Sequence, residues 1–332
     1  MKPVALVTGE VSPYRGEPFR MLAEQEGVEV IARGEAGELE AAKRVLAGRY
    51  RAVIHGIGGR ISLPATYAAA RRARIPFVLW ASLWAHPRTP AHALSWLPTR
   101  HLYRHADAVV TYGPHVSRYV RSIRGARGNV FEAPQAVSAE QFAAPVTPRR
   151  VADGFVLLFV GRLEREKGVE LLLEAWRLAS LGEGATLALA GRGAIQPGGK
   201  NVLTLGPIPR EDLPALYAGA DSLVLPSIRT ATFLEPWGLV VNEAMHQGTP
   251  VIASDAVGAV AGGLVRDGRN GLVAPAGDAR ALATRIQAMA GDRGLRERLG
   301  AAARQDVEEF SEAAWVAGMR RALDAVGAGR GR

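Results

Sequence analysis

Residues 154–181, GFVLLFVGRLEREKGVELLLEAWRLASL, decide the fold. GFVLLFVGR (154–162) reads as a strand running into a glycine, and VELLLEAWRLASL (169–181) as the helix that follows. The same alternation continues downstream. TLALAGRG (186–193) and NVLTLGPI (201–208) precede the helix EDLPALYAGA (211–220). The strand SLVLPS (222–227), the helix LVVNEAMHQG (239–248) and the strand PVIASD (250–255) come next. Upstream, strands are expected at PVALVTG (3–9), VEVIARG (28–34), RAVIHG (51–56), FVLWAS (77–82), ADAVVTYG (106–113) and NVFEAP (129–134). Helices are expected at EPFRMLAEQ (17–25), at ELEAAKRVLAG (38–48) with Gly48 as its cap, and ahead of Pro76. The stretch AAPVTPRRVADG (143–154) is polar and aperiodic, so it reads as a linker between two runs of βα units. Two runs of this kind predict α/β architecture: two facing, doubly wound, Rossmann-like domains, over 1–147 and 148–310, with a cleft between them. In open α/β sheets ligands bind outside the carboxyl ends of the strands, so the cleft is the expected site.

Composition fits this reading. The chain has 332 residues, 48% hydrophobic and 22% charged, as in a soluble globular protein rather than a disordered or fibrous one. It contains no cysteine, which excludes disulfides, thiolate metal sites and cysteine nucleophiles. The N-terminal apolar run is too short for a signal peptide, and no stretch reaches a membrane span, so a cytoplasmic location is expected. The net charge of +9 is unevenly placed: residues 51–150 carry 14 basic and 3 acidic side chains. That asymmetry points to an anionic partner for the first domain.

Several motifs are absent. There is no G-x-x-x-x-G-K-[ST] sequence, G-x-G-x-x-G is not completed after any strand, and no metal-ligand spacing or G-x-S-x-G elbow occurs. The strongest positive signal is LEPWGLVVNEAM (234–245). Pro236 suits the first turn of a helix, which leaves Glu235 just ahead of it and Glu243 in its early turns. The N–H groups of Gly238, Leu239 and Val240 would then form an anion site at the helix start. Two acids flanking that site suit hydroxyls on either side of a phosphate. Taken alone, the pair reads more simply as a capping acid and a solvated helix residue. The second signal is Arg162 and Lys167 around the loop of 154–181, cations suited to a diphosphate. Arg162 could equally pair with Glu164 or Glu166 at the surface.

In order, VGRLEREKG, LALAGRG, NVLTLGPIPREDLPALYAGADSLVLPS, EPWGLVVNEAM, QGTPVIASD and DGRNGLVAP resemble the retaining nucleotide-sugar glycosyltransferases of the group-1 or family-4 type, with the GT-B fold. The resemblance is close over about 154–290 and only in outline over 1–150. It implies that Glu235 contacts the transferred sugar and Glu243 the ribose. It implies that Arg162 and Lys167 hold the diphosphate, that Gly161 permits close approach, and that Gly191, Arg192, Gly193 and Ala194 line the base. Gly16 matches the first-domain position where backbone nears the phosphate, although Arg15 stands where the family often has a second glycine. His86 lies where members often place a histidine near the reacting sugar. The segment SIRTATFL, between PS and EPWG, departs from the pattern. The resemblance also implies that a helix at 311–326, striped by Trp315, Met319 and Leu323, crosses back to the first domain, leaving 327–332 as a frayed tail. Transfer would need no metal and no other cofactor.

The implied partners are a nucleotide-sugar donor and a glycan, glycolipid or lipid-linked acceptor, without nucleic acid. Residues 80–104 interleave Trp80, Trp84, Trp96 and Tyr103 with Arg88, Arg100 and Arg104 and contain no acid, which suits an anionic membrane surface and a peripheral location on it and equally suits stacking on a sugar. Trp84, Arg88, Trp96 and Arg100 are the residues expected on that acceptor side. Other readings are a transferase acting on a soluble small molecule and, in a different class, a nucleotide-sugar epimerase.

Overall fold

The computed structural model describes residues 1–87 and 89–330. The chain divides into two units, one of Met1–Ala136 with Glu312–Arg332 and one of Val137–Ser311. The first holds a sheet of β1 (Val4–Thr8), β2 (Val28–Ala32), β3 (Ala52–Gly56), β4 (Phe77–Ala81), β5 (Ala108–Thr111) and β6 (Val130–Glu132). All its pairings are parallel, in the order β2-β1-β3-β4-β5-β6, with Val4 opposite both Val28 and Ala52. The direction of strand order reverses at β1/β3, the switch point of a flavodoxin-like sheet.

Because helices cover both faces, the strands are apolar on both sides. Val7, Val53 and Leu79 pack beneath the helices Glu40–Leu46, Ser62–Ala73 and Pro114–Arg124. Their neighbours Leu6, Ile54 and Val78 face the helices Gly16–Glu26 and Glu312–Ala325. In that second layer Trp315, Met319 and Leu323 are buried, and Trp315 lies 5.7 Å from the Phe19 ring and 5.6 Å from that of Trp80.

The second unit holds β7 (Phe155–Val160), β8 (Ala185–Ala190), β9 (Val202–Gly206), β10 (Ser222–Leu225), β11 (Val251–Ser254) and β12 (Gly271–Ala274). The order is β12-β11-β10-β7-β8-β9, again parallel throughout. Its reversal falls at β7/β10, as in a dinucleotide-binding Rossmann sheet. Two Rossmann-like domains are therefore present.

The structure differs from the sequence reading in several places. The division falls at Ala136/Val137 rather than at 147, because 143–154 belongs to the second unit's framework. Phe142 is fully buried, Gln247 donates to the Phe142 and Ala144 carbonyls, and the Arg149 N–H bonds to Ala215 O. The tail is tied down as far as Arg330. Arg51 Nε donates to Ala328 O, and the Arg330 N–H donates to buried Glu26, which also accepts from Arg320. Residues 331–332 lie outside the described residues. Helices at Pro90–His105 and Pro114–Arg124, and strand β12, were not read from the sequence. The first helix contains Pro98, the second starts on a proline, and β12 has only four residues. Among the described residues no helix is long and apolar enough to cross a membrane.

Candidate functional site

In the second unit the loops at the carboxyl ends of β7, β8 and β10 form one surface. After β7 and β8 the chain pairs loop to loop. The Gly161 N–H reaches Ala190 O, that of Leu163 reaches Arg192 O, and that of Ile195 reaches Leu163 O. A side chain at Gly191, where φ is 147°, would clash with the Gly161 carbonyl, so glycine is required for this close approach. Ala194 N–H bonds to Glu164 Oε1, and Arg192 and Ala194 are exposed on the rim.

At the switch point, Lys167 and Glu235 form an ion pair, with side chains only 17% and 7% exposed. Ser227 Oγ, just past β10, donates to the same Glu235 oxygen at 3.0 Å. Phe233 places its ring 5.4 Å from Lys167 Nζ. Glu235 is held through its backbone, because the Gly258 N–H donates to its carbonyl and the Ala259 N–H to that of Trp237. Gly238, at φ 94°, lets the chain turn away from this contact. Ser227 ends the family-like stretch SLVLPS, whereas Phe233 comes from the segment that departs from the family pattern, so that departure supplies one wall of the site.

The helix after Glu235 begins at Val240, with Leu239 as its cap, so Pro236 lies in the loop and not in a first helical turn. Glu243 is buried, contrary to a solvated helix position. Tyr217 donates to its Oε2 at 2.6 Å, and burial raises its pKa against the opposing hydrogen bond and Arg210. Arg162 is 59% exposed and ion-paired with Glu166 at 2.9 Å, the surface pairing that the spacing also allowed. Among the described residues no cluster of three or more His, Asp or Glu side chains could hold a metal.

Gly16 and His86 belong to the first unit, and His86 lines a cavity there to which Gly16 does not contribute. Gly16 opens the helix Gly16–Glu26, with nothing within 4 Å of where a Cβ would stand. His86 lies 4.8 Å from Trp96, ring to ring, in a cavity of about 700 Å³ that Trp84 and Tyr119 also line. Trp84 stands edge-on to His115. Of the aromatic stretch 80–104, Trp80 and Tyr103 are core residues. Leu94 and Leu97 are 84% and 69% exposed, and Arg100 is exposed beside them on the same helix. Arg88 lies outside the described residues.

Sequence reasoning did not single out Ser227 and Tyr217, although both lie in the family-like stretch 201–227, nor Phe233, and it gave Arg15 only as the neighbour of Gly16. Arg15 is 6% exposed. Its guanidinium lies 4.3 Å from the centre of the Trp80 ring, and its Nη2 donates to Tyr112 Oη at 3.0 Å and to Gln135 Oε1 at 2.5 Å.

Two parallel sheets with glycine turns at their carboxyl ends define a two-domain α/β protein of the GT-B class. Anabaena Alr3699/HepE, solved in complex with UDP and glucose, matches 98% of this chain and 100% of its own, at 20% identity and TM-score 0.72. Residues 145–306 match the family model Glycosyl transferases group 1. The uncharacterized glycosyltransferase MJ1607 of Methanocaldococcus jannaschii is 32% identical over 167 residues, 47% of this chain and 41% of that protein. Sulfoquinovosyl transferase SQD2 of Arabidopsis thaliana is 26% identical over 285 residues, 78% of this chain and 53% of that protein. These matches thus span about half or less of the curated relatives' length.

Proposed function

We propose that the protein is a retaining, metal-independent glycosyltransferase that moves a hexose-type sugar from a nucleoside-diphosphate sugar to an acceptor hydroxyl. The observation that carries this reading is the Lys167–Glu235–Ser227 contact at the β7/β10 switch point, inside the region matched to the family. The HepE structure, which holds UDP and glucose on the same fold, supports a nucleotide-sugar donor.

In this mechanism Lys167 turns toward the donor diphosphate and Arg162 leaves Glu166 for it. Glu235, freed from part of its pairing, accepts hydroxyls of the transferred sugar. Glu243 offers Oε1 to the ribose while Tyr217 holds Oε2. Gly161 permits close approach, Gly191, Arg192, Gly193 and Ala194 line the base, and Gly238, Leu239 and Val240 face the phosphates. Gly16 and His86 serve from the first unit, His86 as a hydrogen-bonding group for sugar or acceptor. The bond from the sugar's anomeric carbon to the diphosphate oxygen breaks as the acceptor oxygen bonds on the same face. The acceptor's proton passes to the departing diphosphate, whose charge Lys167 and Arg162 stabilise. The exposed Leu94 and Leu97 beside Arg100 favour a glycolipid or lipid-linked acceptor met at an anionic surface.

Thermal-shift titration with UDP-, GDP-, ADP- and dTDP-sugars, followed by turnover of the stabilising donor in excess EDTA, tests the proposal. Stabilisation by one donor class, with the anomeric configuration kept in the product, is expected. No stabilisation by any donor, activity lost in EDTA and restored by Mn²⁺, or an inverted product would each overturn it. Flotation with anionic but not neutral vesicles is expected for the membrane-facing acceptor side.

A further inference from the structure

The first unit has its own cavity at its own switch point. It measures about 120 Å³, several times the ~30 Å³ share of one liquid water, and its lining includes Thr8, Ser12, Arg15, Arg33, Trp80 and Ser82. These residues come from the carboxyl ends of β1, β2 and β4, where open α/β sheets bind ligands.

Two guanidinium groups reach this cavity in different states. Arg33 is ion-paired with Glu38 at 2.9 Å, while its buried Nε has no hydrogen-bond partner. Arg15 is the unusual one. Its partners among the described residues are neutral: the Tyr112 hydroxyl, the Gln135 carbonyl oxygen and the faces of Tyr14, Trp80 and Tyr112. A buried cation without a counter-charge is costly, and proteins compensate it with an anion. Nη2 makes both of Arg15's contacts to Tyr112 and Gln135, which leaves the N–H groups of Nε and Nη1 to meet an oxyanion as separate charge-assisted donors. Arg15 also directly precedes the helix Gly16–Glu26, whose positive end faces the same region. Glu10 stands exposed at the cavity's edge, where solvent screens it.

We propose that this cavity is an oxyanion site of the first unit, with Arg15 and Arg33 gripping a phosphate monoester or carboxylate carried by the acceptor. The acceptor class is thereby acidic. The word acceptor rests on the transferase reading, whereas the anion site itself does not.

Inorganic phosphate, titrated calorimetrically into the full chain with and without saturating UDP, tests both parts. With UDP present, one phosphate is expected to bind. Arg15→Gln should weaken that binding roughly tenfold or more, the loss of a charge-assisted contact. Arg33→Gln should weaken it several-fold, and Arg121→Gln, an exposed arginine elsewhere on the unit, should leave it unchanged. UDP affinity should move less than twofold in Arg15→Gln. Equal phosphate affinity in Arg15→Gln and the parent overturns the site, as does failure of phosphate to bind at all. If saturating UDP abolishes phosphate binding, or Arg15→Gln weakens UDP and phosphate alike, the anion is the donor's diphosphate and the acceptor assignment falls. If UDP does not bind the parent chain, the transferase reading fails, while the titration without UDP still decides the cavity. Arg15→Lys keeps the charge and loses the guanidinium's several donors, so it should bind phosphate more weakly than the parent. Together with Arg33→Gln it carries the test if Arg15→Gln does not fold.

Discussion

The two switch points place a buried cation in opposite surroundings. In the second unit Lys167 meets Glu235, a carboxylate fixed by its own backbone hydrogen bonds. In the first unit, among the described residues, Arg15 meets aromatic faces, a phenol and an amide. The first arrangement is complete without a ligand and must reorganise to take one, whereas the second is poised for a charge that the described residues do not supply. The difference also concerns chain length. Lys167, Ser227, Phe233 and Glu235 come from two loops that each look local in sequence. The surroundings of Arg15 are assembled from residues 80, 112 and 135.

The sharpest way to break this comparison is to remove the tail. Ending the chain at Ser311 deletes Trp315, Met319 and Leu323, all buried in the first unit, along with Arg320, a partner of buried Glu26. Each such core loss costs about 2–5 kcal/mol, and together they exceed what a domain of about 5–15 kcal/mol can spare. Calorimetry should then show the second unit's transition alone. A surviving first-unit transition would show that its core does not depend on the last helix.

Next in size is the Lys167–Glu235 pair. Lys167→Ala leaves a buried carboxylate without its cation and should destabilise the second unit by about 3 kcal/mol in urea titration. Adding Glu235→Gln should restore part of that loss, since the uncompensated charge is then gone. Additive effects in the double variant would mean that the pair is not coupled.

Of similar magnitude, but common to both units, is acid sensitivity. Burial lowers His55 of the first unit and His246 of the second to about 4. The unfolded chain protonates these rings near 6.5 and the folded chain only near 4. Each histidine therefore contributes stability that is intact above pH 6.5 and is lost as the pH falls to about 4, roughly 3 kcal/mol apiece. His55→Gln should flatten the first unit's acid limb and leave the second unit's unchanged. An unaltered limb would refute the assignment to His55.

The smallest effect on stability is expected at Arg162. Its exposed pair with Glu166 contributes about 0.5 kcal/mol or less, so Arg162→Ala should barely shift the unfolding midpoint. The same variant should weaken UDP binding about tenfold if the side chain leaves Glu166 for the diphosphate. Unchanged UDP affinity would confine Arg162 to the surface.

The strands were the most legible part of the fold. PVALVTG, RAVIHG and FVLLFV are short, apolar, β-branched runs bounded by glycine or by charge, and each became a fully parallel strand. Helices that break the usual rules were not legible. Pro90–His105 carries a proline inside, and its exposed leucines give no clear apolar face. The glycine turns of the second unit could be read because GRLEREKG and GRG keep strand, loop and cation in one continuous stretch. The burial of Glu243 could not be read, since its partner Tyr217 comes from a separate helix.

The sequence by itself determined the alternation of strands and helices, the parallel sheets that follow from it, and the family resemblance of the second unit, because these depend on periodicity and on motifs of a few consecutive residues. Only the tertiary structure decided where the units divide, that the last helix completes the first unit's core, and which charges stand paired. Those outcomes depend on contacts between residues up to about three hundred positions apart, such as Glu26 with Arg320. The same holds for Arg15: nothing in PYRG shows that Trp80, Tyr112 and Gln135 will close around it and leave its charge unanswered.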